Sequence, residues 1–85
     1  MELVSKKQMI GYEWRSFEHY PKNGSDIMLH VKGRSRLENK VFHDFVRIRN
    51  FNCVSFNPRR YNPPKIGVAW GYSWLPVTYL FAADD

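Results

Sequence analysis

The sequence predicts an all-β domain: a small antiparallel sheet of about five strands, curled or barrel-like, with room for one short helix. Three observations carry this. Segments rich in β-branched and aromatic residues recur at 27–31, 41–49 and 66–77. Turn chemistry separates them, above all Pro21-Lys22-Asn23-Gly24 and the proline-bearing stretch 57–65. No long stretch has a clear 3.6-residue period.

Residues 1–11, containing LVSKKQMI, are expected to be a short helix or a fraying lead-in. A hairpin is expected next, across residues 14–31. Tyr12, Trp14 and Ser16 alternate with Glu13, Arg15 and Phe17, although Phe17 breaks the polar side. Pro21 presets φ for a turn and Asn23-Gly24 tolerates positive φ, after which Ile27, Leu29 and Val31 form one buried face opposite Met28, His30 and Lys32. Residues 32–40 read as a polar surface connection with Gly33 and Asn39 as turn residues.

The segment 41–49 follows as a strand with Phe42, Asp44, Val46 and Ile48 on one face and His43, Phe45, Arg47 and Arg49 on the other. Asn50 marks a turn, and 51–56 is expected as a further strand. The proline-rich 57–65 is expected as a loop, and 66–77 as a strand whose Gly67 and Gly71 signal a bulge or a close backbone approach. Trp70, Tyr72 and Trp74 alternate and are expected to share a face, core rather than an exposed ledge; residues 78–81 form a last short strand.

Eighty-five residues make a single domain, 1–85, and a chain that is 44% hydrophobic and 16% aromatic can close a core without disulfide staples. The one cysteine, Cys53, has no internal partner and reads as a small buried hydrophobe; with no secretory leader or membrane span, the expected location is cytoplasmic. Thirteen Lys and Arg against eight Asp and Glu give a net charge of +5, which favours anionic partners. The competing explanation is that the extra cations only keep a small domain soluble.

Little here resembles catalysis. His19, His30 and His43 lack the clustered spacing of zinc ligands, no serine sits in a nucleophile elbow, and no Gly-rich phosphate loop is present. No enzyme, metal or cofactor is expected. The chemistry-bearing pattern is basic and aromatic: Phe45, Arg47 and Arg49 on one strand face, Arg59, Arg60 and Tyr61 in the proline loop, and Lys32, Arg34 and Arg36 in the first long turn. Such residues serve a host protein with an acidic surface, the favoured partner, or a single strand of nucleic acid stacked on Phe45 and Tyr61. No membrane partner is expected, and free sheet edges permit a homodimer.

Trp14, the Pro21-Lys22-Asn23-Gly24 turn, Ile27-Met28-Leu29 and Trp74-Leu75-Pro76 together resemble a family of short phage and prophage proteins of unknown function. The chain departs from that pattern where Val77-Thr78-Tyr79-Leu80 replaces a proline-rich ending. The resemblance implies a phage or prophage origin, a host-cell cytoplasmic location and no activity to carry over. It also implies the habit of small phage proteins of binding, and inhibiting, a host macromolecule.

Overall fold

Residues 27–31, Ile-Met-Leu-His-Val, are buried without a break, so this segment is packed on both faces rather than one. It forms the first half of strand β2 (Ile27–Ser35), which lies between two partners. The computed structural model describes residues 2–61 and 67–82, with Trp70 described by its backbone alone. Within them a four-stranded antiparallel sheet has the order β1-β4-β2-β3, with β1 at Arg15–Ser16, β3 at Val41–Ile48 and β4 at Gly67–Pro76. An isolated antiparallel bridge joins Leu3 to Phe81 beside it. The all-β expectation holds; the sheet is open, with β1 and β3 as its edges.

The hairpin expected across residues 14–31 does not form. The turn is present, with Ser25 N–H donating to Lys22 O at 3.1 Å and Gly24 at φ 87°. The segment before it nevertheless pairs with β4, Arg15 opposite Trp74 and Ser16 opposite Ser73. Phe17, the residue that spoiled the alternation, turns into an aromatic cluster and ends the strand. The hairpin that does form joins β2 to β3: β2 runs on through Gly33 to Ser35, and Ser35 N–H donates to Lys40 O at 2.8 Å. Asn39, at φ 53°, makes the turn; Gly33, Lys32 and Arg34 are strand residues instead.

Alternation sorts the side chains onto two faces. Met28, Leu75, Val77, Leu80 and Met9 form one buried cluster, with Trp14 and Phe45 packed against it. Its lid is helix α1 (Lys6–Ile10), closed by a capping box in which Ser5 Oγ accepts from Gln8 N–H while the Gln8 side chain accepts from Ser5 N–H. Ile27, Phe51 and Trp74 form the cluster on the opposite face, with Phe17, Ile48 and Phe56 around them.

Two other expected strands are absent. Residues 51–56 form a turn-rich loop, because Asn52 Oδ1 accepts from Val54 N–H at 2.9 Å and Asn52 O accepts from Phe56 N–H at 3.0 Å. Cys53 in this loop is exposed, not buried. Residues Val77–Leu80 make a 3-10 turn that puts Val77 and Leu80 into the core.

In β4, Lys32 pairs with Gly71 but Gly33 pairs with Ala69, so Trp70 is the extra residue of a bulge. Tyr72 and Trp74 keep a common face, and Trp74 is core; the Trp70 side chain lies outside the described residues. The glycines Gly33 and Gly67 lie under the Phe42 ring. A Cβ at Gly33 would come within 2.6 Å of Phe42 Cζ, and one at Gly67 within 2.8 Å of Arg34 O, so this ring rests on bare backbone. Among the described residues no helix is long and apolar enough to cross a membrane.

Candidate functional site: a basic cleft beside Phe51

The six residues predicted as contacts do not form one surface. Phe45 is half-buried, its ring stacked on His30 at 4.8 Å and tilted against Trp14 at 5.3 Å, which ties it into a cluster on the helix-covered face, away from the other contacts. Arg47 is committed to Asp26: Nε donates to Oδ1 at 3.1 Å and Nη2 to Oδ2 at 2.6 Å. The hydrogen bond from Arg47 holds the Asp26 carboxyl below the usual carboxylate range, and in turn raises the Arg47 guanidinium. The Phe45 ring and the Arg47 guanidinium are thus both engaged within the chain.

Arg49, Arg60 and Tyr61 do converge. They line a cleft of about 230 Å³ with Asn50, Asn52, Ser55 and Asn57, floored by Phe51 and Phe56. Its construction is local. Asn50 takes φ 56° at the end of β3 and turns the chain inward, so that Phe51 is buried. Phe51 N–H donates to Ser25 O at 2.9 Å and Gly24 N–H to Phe51 O at 2.7 Å, which ties the loop to the Pro21–Gly24 turn. Asn57 Oδ1 accepts from Arg59 N–H at 3.1 Å and starts the 3-10 turn Pro58–Tyr61 that carries Arg60 and Tyr61. Arg59 is exposed on that turn but does not line the cleft.

Among the described residues no carboxylate lines this cleft, and neither Arg49 nor Arg60 has an ion-pair partner. Two cations, a phenol and four amide or hydroxyl side chains around an aromatic floor give this cleft a cationic, polar rim rather than a hydrophobic one.

A second polar group lies on the other face. His30, only 8% exposed, packs in a three-ring cluster with Trp14 and Phe45, with Nε2 2.8 Å from His43 Nδ1 and Nδ1 3.4 Å from Ser73 Oγ. All three groups are satisfied when the Ser73 hydroxyl donates to Nδ1 and Nε2–H donates to His43. Burial, then the charges of His43 and Lys32, push the His30 imidazolium down to about 4; His43 is lowered as well, by burial and by Lys32 and Lys6. An imidazole this weakly basic is a poor activator of a serine near neutrality. Among the described residues no three His, Cys, Asp or Glu side chains converge to hold a metal ion.

Fold and site together define a small β domain with one open antiparallel sheet and a loop-built basic cleft. No protein-family model, curated protein or solved structure matches this chain.

Proposed function

We propose that the protein is a non-enzymatic binding protein that takes an anionic group of a macromolecular partner into the Arg49–Arg60–Tyr61 cleft. One observation carries this: three side chains that the sequence singled out meet in one concave site with no carboxylate among its described lining residues. Arginines held beside the buried Phe51 ring, with Asp26 acting on Arg49 only from outside ion-pair distance, keep much of their attraction for an anion, since the apolar floor lowers the local dielectric. The neutral His30–His43 pair supports the non-enzymatic reading, because it stitches β2 to β3 and has little basicity to offer. The resemblance to short phage and prophage proteins makes a host macromolecule the partner, met in the host cytoplasm.

The test is retention on an immobilised polyanion at physiological salt. Arg49→Glu with Arg60→Glu should abolish retention, whereas Lys7→Glu with Lys40→Glu, an equal change of charge on exposed side chains away from the cleft, should leave most of it. Equal losses for the two pairs would mean that net charge alone is responsible, and the cleft would no longer be the site.

A further inference from the structure

A second cleft, of about 400 Å³, adjoins the first. Arg15, His19 and Lys22 line it with the rings of Tyr20 and Trp74. The two share a wall: Ser25, in the second lining, accepts from the N–H of Phe51, in the first, and the Tyr20 and Phe51 rings lie 6.3 Å apart. Among the described residues neither lining contains a carboxylate. Arg15 is already fixed, with its guanidinium 5.1 Å from the Trp74 ring and Nη2 donating to the Tyr79 hydroxyl at 3.1 Å. Tyr20 is 59% exposed and presents a ring to solvent beside Lys22.

We propose that the two clefts form one track that binds a single strand of nucleic acid, one nucleotide in each. This rests on the reading of the Arg49–Arg60–Tyr61 cleft as an anion receptor and names its partner. Each cleft pairs an accessible tyrosine with at least two cations, which matches the repeating unit of a nucleic-acid strand: one π-face and one phosphate. An acidic peptide would satisfy the cations but leave Tyr20 and Tyr61 with nothing to stack on. The amide and hydroxyl groups between them suit base edges and sugars. Phe45 has no part in this track; Tyr20, which carried no signal beyond its place beside the turn, replaces it.

The experiment is fluorescence anisotropy with a labelled oligothymidylate and a labelled oligouridylate, each about 12 nucleotides long, beside a labelled oligoglutamate peptide of similar length, at several salt concentrations. The track predicts nucleic-acid binding with a log–log salt slope of about −1.4, as for two phosphates neutralised on a single strand. Tyr20→Ala should weaken it on the order of tenfold, the loss of one stacked base. Lys22→Glu, on an exposed side chain, should lower both affinity and slope, and it serves where Tyr20→Ala perturbs folding. Binding that responds to Arg49→Glu/Arg60→Glu but to neither Tyr20 nor Lys22 overturns the track and leaves the first cleft as the receptor. Binding of oligoglutamate alone, lost with Arg49→Glu/Arg60→Glu, overturns the nucleic-acid assignment while keeping the anion receptor. If none of the three probes binds, both readings fall.

Discussion

The two faces of the sheet are closed in different ways, and the difference explains where binding groups can sit. One face is covered by α1, Trp14 and the Val77–Leu80 turn, all apolar where they touch the sheet. Its buried polar residue, His30, is packed in a ring cluster with Trp14 and Phe45 and bonded to His43. The other face is covered by a loop whose single deep anchor is Phe51 and whose backbone is held by asparagine side chains. A loop built this way turns its remaining side chains outward, so Arg49 and Arg60 stay accessible around a buried ring. Regular structure hides its polar groups; irregular structure over an aromatic anchor displays them.

Phe51→Ala breaks this comparison most directly. It removes the anchor of one face only, at about 3–5 kcal/mol, a large share of what a domain of this size has in total. Urea unfolding should show that loss, and both clefts should lose anion binding with their shared wall. Binding that survives in the folded fraction would mean that the clefts do not depend on Phe51.

The helix-covered face responds to acid instead. His30 binds a proton near pH 6.5 when unfolded but only near 4 when folded, so between these values the unfolded state carries more protons. Its contribution is complete above pH 6.5 and is lost as pH falls toward 4, by up to about 3 kcal/mol. Unfolding midpoints measured across that window should decline with falling pH in the native protein and flatten in His30→Gln; parallel declines would place the acid sensitivity elsewhere.

The smallest effect sharpens the comparison at the far end of the loop-covered face. Gly33→Ala puts a methyl against Phe42 Cζ and the Val68 carbonyl. The ring can move but the carbonyl cannot follow, so a cost of about 1–3 kcal/mol is expected in the same urea titration. A neutral or stabilised variant would show that Phe42 does not depend on bare backbone.

Much of the site was legible early, but not its membership. Arg49, Arg60 and Tyr61 were picked from charge and aromaticity, and they do meet. Phe45 and Arg47 looked equivalent on the same strand face, yet Phe45 joins a stack with His30, and Arg47 finds Asp26, 21 positions away in the chain. Long-range ring and ion pairs leave no local signature. The opposite error concerned Asn50, Asn52 and Asn57: three asparagines in a short span are a turn signal, and Asx-type hydrogen bonds outcompeted the strand expected there.

Local chemistry by itself determined the β character, the turn at Pro21–Gly24, the first half of β2 and the β3 segment. Each depends on φ preference, alternation or a hydrogen bond between near neighbours. Which strands pair was decided only in three dimensions. Residues 27–31, apolar on both faces, required a neighbour on each side, and β4, arriving from the far end of the chain, took the place the Pro21–Gly24 turn would have given to β1. Trp74 made that choice favourable: its indole N–H donates to the His19 carbonyl at 2.9 Å and its ring is buried with Phe51 and Ile27. Burying one large aromatic ring with its polar group satisfied contributes more than closing a two-residue strand onto its nearest neighbour.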